Sequence, residues 1–339
     1  MRIAYLLEST DPHGGVQVVL RQAEALARRG HRVTVVSPDP RPDWFPMSRA
    51  LFERSAFREA RELAGAEVRV ATFFRTVEPA LEGACGPVFH LCQGYEGGFP
   101  HYRAVLSEIE RIYGLPTRKL AVSATLSAEL GRRGFGPAID VGQAFDAGAY
   151  TPGPPREPAD PPVVLVVGPY EAPSKGIAIA LEGLGRARAR GVRFRLRRAA
   201  HAPVSAAERR LGVTDEYHHG IPVERMPEAY RASDAFVAAF REEEGFGLPS
   251  LEALACGIPA LLSDVPGQRE IGGGAVRYFR DGDPESLAEA LPGVLTAEAR
   301  AAARERGPAE AARYDTARVA ERLERAFREA LTVDSDGGA

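Results

Sequence analysis

Five consecutive apolar residues, Val163-Val164-Leu165-Val166-Val167, constrain the fold more than any other short run. A strand without a polar side is buried on both faces, as inner strands of a parallel sheet are. A glycine- and proline-bearing loop follows at 168–176, then a helical pattern over 177–190. The beginning of the chain has the same scheme. An apolar run at 2–7 leads into a polar loop ending in Gly14 and Gly15, and Val16, Val19, Leu20, Ala23, Leu26 and Ala27 then recur at helical spacing. Gly30 ends that helix, and 32–36 reads as the next strand. Two such series predict a parallel α/β protein of two domains. Between them stand Pro152, Pro154, Pro155, Pro158, Pro161 and Pro162, too much proline for a helix or central strand. We therefore expect a first domain over 1–150, a linker at 151–162 and a second domain over 163–306.

The remaining pattern predicts strands at 68–71, 88–92, 120–123, 139–142, 194–196, 235–239 and 260–262. Helices are expected at 48–64, 100–113, 124–133 and 226–231, with a last long helix over 307–331 and a disordered tail at 332–339. Residues 263–270 read as a loop. The chain has 339 residues, 45% apolar and 26% charged, with net charge −3. That balance suits a globular protein and leaves no nucleic-acid footprint. No run reaches the roughly 18 apolar residues of a membrane span. Cys85, Cys92 and Cys256 show no metal-ligand spacing, and reduced thiols in the cytoplasm are expected. The same composition is compatible with a peripheral association with a membrane.

The chemistry concentrates in Glu244-Gly245-Phe246-Gly247-Leu248-Pro249-Ser250-Leu251-Glu252-Ala253-Leu254-Ala255-Cys256-Gly257-Ile258-Pro259. Its glycines permit backbone that other residues resist, and Pro249 suits a first helical turn. A helix opening on such a loop directs unpaired amides forward, which favours phosphate. Glu244 precedes the helix, and Glu252 is expected in its first turn. Two carboxylates beside an anion site make sense when the ligand also carries hydroxyls, as a sugar phosphate or nucleotide does. The plainer reading is that both acids complement the helix dipole, at about 0.3–1 kcal/mol each.

This stretch resembles the signature of the family-4 retaining glycosyltransferases, glycosyl transferases group 1, of the GT-B fold. The resemblance is tight from Glu244 to Pro259 and loose elsewhere. It implies two facing Rossmann-like domains, with a C-terminal helix crossing back to the first. It also implies transfer of a sugar from a nucleotide-diphosphate donor to a hydroxyl acceptor, with retention and through a front-face step. Glu244 would sit against the donor sugar, Glu252 would hold the ribose, and Gly245, Phe246, Gly247 and Leu248 would line sugar and diphosphate. Lys175, followed by Gly176, would neutralise the diphosphate; Ile221 would lie by the base; Gly14 and Gly15 would face the donor. His90 is the nearest match to a histidine that many relatives place on the sugar, although its strand pattern also suits a buried ring. His101 has no better case. The loop 93–98, with Gln93, Tyr95 and Glu96, is the candidate acceptor side. No cofactor or metal is implied beyond the donor.

The family usually carries an arginine after the glycine that ends the Val163 strand. Here Pro169 and Tyr170 follow Gly168. Arg197, Arg198 and Arg241 are candidate substitutes. That departure also admits a catalytically silent partner that binds a nucleotide sugar. A GT-B epimerase or phosphorylase is a further alternative.

Overall fold

The computed structural model describes residues 1–336. It divides into two compact units, Met1–Phe145 with the segment from Tyr314, and Asp146–Arg313. In the first unit, seven strands form one parallel sheet: β1 (Arg2–Leu6), β2 (Arg32–Ser37), β3 (Leu51–Arg54), β4 (Val68–Ala71), β5 (Val88–Cys92), β6 (Arg118–Ala121) and β7 (Ala138–Asp140). Their order is β3-β2-β1-β4-β5-β6-β7. β1 lies inside the sheet, with Tyr5 opposite both Val35 and Val70. Its residues from Ile3 to Leu6 are buried. The helix Gly14–Arg28 packs its Val16, Val19, Leu20, Ala23 and Leu26 inward. Each fully buried Val or Leu stabilises by about 1.5–3 kcal/mol.

The helix expected over 48–64 does not form. Glu24, buried on the helix Gly14–Arg28, accepts the backbone amides of Ser48, Arg49 and Ala50. Those bonds hold the chain irregular there, and Leu51–Arg54 then joins β2 as an edge strand. Glu53 next accepts the amides of Arg61 and Glu62, opening a single turn, Arg61–Ala64. A helix at Phe74–Leu81 stands between β4 and β5, with Pro79 inside it, and the Thr76 hydroxyl accepts the Phe73 amide at its start. Residues 100–113 divide into a 3₁₀ segment, Pro100–Val105, and a helix, Leu106–Tyr113.

The second unit holds six parallel strands: β8 (Val163–Val167), β9 (Arg195–Ala200), β10 (Glu216–His219), β11 (Ala235–Ala238), β12 (Ala260–Ser263) and β13 (Arg277–Phe279). Their order is β10-β9-β8-β11-β12-β13. β8 lies inside the sheet, as its all-apolar sequence requires. The chain leaves β8 towards one edge and β11 towards the other. Loops at their carboxyl ends therefore part at the point where doubly wound sheets bind ligands. Residues 263–270, expected as loop, include a helix, Pro266–Gly272, with proline at its start.

The proline-rich stretch belongs to this second unit. Arg156 ties it down through the carbonyls of Arg231 and Ser233 and the carboxylate of Asp234. The last long helix is two helices, Ala297–Ala311 and Thr316–Asp336, separated at Ala312–Tyr314. The second returns to the first unit, where Phe327 packs on Phe89 and Glu324 pairs with Arg29 at 2.6 Å. Arg328 and Arg29 hold the Glu324 carboxyl down to about 2. The expected tail at 332–339 is helical as far as Asp336, and its remainder lies outside the described residues. Among the described residues no helix is long and apolar enough to cross a membrane.

Candidate functional site

The loop after β8 and the loop after β11 meet. The Arg241 amide donates to the Ser174 carbonyl at 2.8 Å. The Lys175 ammonium pairs with one oxygen of Glu244, and the Ser174 hydroxyl donates to the other at 2.8 Å. The ammonium also lies 4.9 Å from the centre of the Phe240 ring. Lys175 and Glu244 keep 22% and 15% side-chain exposure, so the pair is reachable but largely dry. Gly176 makes the approach possible. It adopts φ +59°, and a Cβ there would come within 1.8 Å of the Ala239 carbonyl oxygen. Lys175 is one of only two lysines in the chain; the other, Lys119, is buried.

The helix Leu248–Ala255 starts directly after this loop, with Gly247 as its left-handed N-cap. Gly245 and Gly247 both have positive φ, 72° and 83°. In its first turn Pro249 carries no amide hydrogen, and the Ser250 amide donates to the Gly247 carbonyl at 3.0 Å. Phe246 is buried, and its carbonyl accepts from the Gln268 side chain at 3.0 Å. The Ser250 hydroxyl donates to the same Gln268 at 2.6 Å. Glu252 is the fifth helical residue and stands in the second turn, not the first. The Tyr230 hydroxyl donates to its carboxylate at 2.7 Å. Tyr230 is wholly buried and Glu252 is 8% exposed. Ile221 lies beyond the carboxyl end of β10, two strands removed from β8.

Sequence reasoning missed Ser174, Tyr230, Phe240 and Gln268 as contacts of this site. Ser174 adjoins Lys175, and that adjacency was the one available signal. Tyr230→Phe removes a hydrogen bond to a charged group, and folding stability is expected to fall by about 1.5–3 kcal/mol. Urea unfolding of the two proteins measures it.

The three candidate arginines are all engaged. Arg197 pairs with Glu216 at 2.8 Å, and Arg241 with Asp281 at 2.7 Å. Arg198 is fully buried against Glu208. Each guanidinium is thus held by a carboxylate other than Glu244. His218 and His219 are exposed, and no group of three metal-type ligands occurs among the described residues.

In the first unit, Gly14 and Gly15 open the helix Gly14–Arg28 after β1. The Gln93 side chain, just past β5, donates to the Gly15 carbonyl at 3.0 Å. This brings the glycine pair and the 93–98 loop together. Tyr95 is 5% exposed, with the Arg133 guanidinium 4.1 Å above its ring. His90 does not reach a surface. It is wholly buried in β5, both ring nitrogens lack partners, and the Tyr113 ring lies 4.8 Å away. Burial pushes its pKa down to about 3, so the ring is neutral and offers no sugar contact here. His101 is exposed on the 3₁₀ segment, against Tyr102.

Glu96 accepts a hydrogen bond from Tyr113, and burial pushes its carboxyl up to about 7. The folded state thus keeps a proton that the unfolded chain releases near 4.5. This contribution is fully present below about pH 4.5 and is lost as pH rises to about 7. Glu96→Gln is expected to flatten the melting temperature across that window. Thermal unfolding of both proteins from pH 4 to 8 tests it.

Comparison with known proteins bears on the whole chain. The family model of glycosyl transferases group 1 matches residues 161–297. The phosphatidyl-myo-inositol mannosyltransferase of Mycolicibacterium smegmatis is 27% identical over 331 residues, 85% of this chain and 82% of that protein. The sucrose-phosphate synthase of Thermosynechococcus elongatus superposes with TM-score 0.77 at 19% identity, over 98% of this chain and 99% of the other. HepE of Anabaena, solved in complex with UDP-glucose, gives TM-score 0.75 at 15% identity over 96% and 99%. Residues 161–297, which hold Lys175 and Glu244, match the glycosyl transferases group 1, and together with relatives along most of the chain and two parallel Rossmann-like sheets they lead to one assignment: a glycosyltransferase of GT-B fold.

Proposed function

We propose that the protein moves a sugar from a nucleotide-diphosphate donor to a hydroxyl acceptor with retention of anomeric configuration. One observation carries this reading. Lys175 and Glu244, 69 residues apart, meet at the switch point of the second sheet, beside the opening of the Leu248–Ala255 helix. A diphosphate there gains an ammonium and helix amides, and its departure is the step that most needs positive potential. Glu244 would face the sugar and the positive charge that develops on it. Glu252, fixed by Tyr230, would take the ribose hydroxyls. The backbone from Gly245 to Leu248 would line the donor, and Ile221 would adjoin the base. Gly14, Gly15, Gln93, Tyr95 and Glu96 are proposed ligand contacts of the first unit, with acceptor choice in the 93–98 loop. His90 has no part in the proposal. A front-face step lets the leaving phosphate take the acceptor's proton, and it requires neither a protein nucleophile nor a metal. Action in the cytoplasm, with or without a peripheral membrane contact, belongs to the same proposal.

A panel of nucleotide sugars, read by thermal shift and then by transfer to hydroxyl acceptors, tests it. A donor at a hundredfold excess over its Kd stabilises the fold by about 2.7 kcal/mol. We expect one base and sugar to stand out and to support transfer. A panel that leaves the melting temperature unmoved would refute the donor site. Pro169 in the arginine position, with Arg197, Arg198 and Arg241 engaged elsewhere, gives the second reading, a silent nucleotide-sugar binder. Binding without transfer or hydrolysis would favour it.

A further inference from the structure

We infer that Arg198 is a positioning residue for Lys175, an inference that rests on the donor-site reading above. Arg198 lies in β9 with no exposed surface, and its partner Glu208, on the turn of helix Ala206–Leu211, is 2% exposed. The guanidinium donates from Nε to Glu208 at 2.8 Å, from Nη1 to the Val166 carbonyl at 2.7 Å, and from Nη2 to the Gly168 carbonyl at 2.7 Å. Both carbonyls belong to the carboxyl end of β8, where the chain departs for Lys175. The lysine stem then passes over Gly168: a Cβ on that glycine would lie 3.4 Å from both Cγ and Cδ of Lys175. A continuous set of contacts thus runs from the guanidinium through two carbonyls and Gly168 to the ammonium beside Glu244.

Stability alone is a poor reason for this arrangement. A buried ion pair is often matched or bettered by apolar side chains of similar volume. Here one oxygen of Glu208 is left buried without a partner, which raises the cost further. What an apolar pair does not reproduce is the hold on two carbonyls at a strand end. That hold falls where Pro169 supplies neither an amide hydrogen nor a cation. Arg198 is not a catalytic residue, because it is fully buried and cannot touch a ligand in this structure.

The double variant Arg198→Met, Glu208→Leu separates positioning from folding. Three quantities are measured: cooperative melting, kcat and KM for transfer, and the rate at which an amine-acylating reagent modifies Lys175, followed by mass spectrometry. Lys119, the other lysine, serves as the buried reference. We expect a cooperative fold, acylation of Lys175 accelerated several-fold, and kcat lowered about ten- to hundredfold while KM changes far less. Unchanged kcat and acylation in a folded variant would overturn the inference. So would a lower kcat with unchanged acylation, because the effect would not pass through Lys175. Faster acylation in a protein whose wild type transfers nothing would keep Arg198's role and remove the donor-site reading instead. Should the double variant fail to fold, Arg198→Lys keeps the charge opposite Glu208 without a fork for both carbonyls, and the same outcomes are read on it.

Discussion

Lys175→Ala is expected to slow sugar transfer by about 10²–10³-fold while the protein stays folded. Its ammonium pairs with Glu244, whereas Arg197, Arg198 and Arg241 are each paired with other carboxylates. A leaving diphosphate gains charge as the sugar bond breaks, so a fixed cation there acts mainly on the transition state. The pair is largely dry, so leaving Glu244 without its partner also lowers stability, and unfolding measured beside turnover separates the two losses. Glu244→Gln should behave alike, since the amide keeps the shape and loses the charge. Steady-state kinetics beside thermal unfolding checks both. Near wild-type turnover in either variant would remove that residue from the mechanism.

Gly267→Ala is expected to have the largest effect on the fold around the site. Gly267 is buried in the Pro266–Gly272 helix, and a Cβ there would stand 1.7 Å from the Gly245 carbonyl oxygen. Backbone on both sides leaves no flexible group to yield. Either the helix or the Gly245–Leu248 loop must move. Overpacking of this kind costs about 3 kcal/mol or more. For a unit of this size that is a fall of roughly 6–12 °C in melting temperature. The displaced loop is the one that lines the donor, so donor protection in a thermal-shift assay should vanish as well. A variant that melts like wild type and still responds to donor would show that the helix and loop are not in close contact.

How much was legible depended on how local each feature is. The all-apolar Val163–Val167 run was readable because burial on both faces leaves a contiguous signature. The glycine-rich loop and Leu248–Ala255 helix were readable for the same reason: their signals are adjacent in sequence. The false helix at 48–64 shows the limit. Its pattern was overruled by Glu24, which lies more than twenty residues earlier and captures three amides. Glu252 was assigned the wrong turn because spacing from Glu244 does not reveal where the helix begins. Arg198 read as one of three candidate substitutes for the missing arginine, and only tertiary packing reveals its carbonyl partners. His90 could be read either way from its strand, and burial decided between them.

The central claim is that the carboxyl-end crevice of the second sheet grips a nucleotide-diphosphate sugar. A crystal structure with such a donor bound tests it most directly. We predict the diphosphate at the opening of the Leu248–Ala255 helix within hydrogen-bonding distance of Lys175, the ribose on Glu252 and the sugar against Glu244. A donor bound elsewhere, with the Lys175–Glu244 pair untouched, would contradict the account.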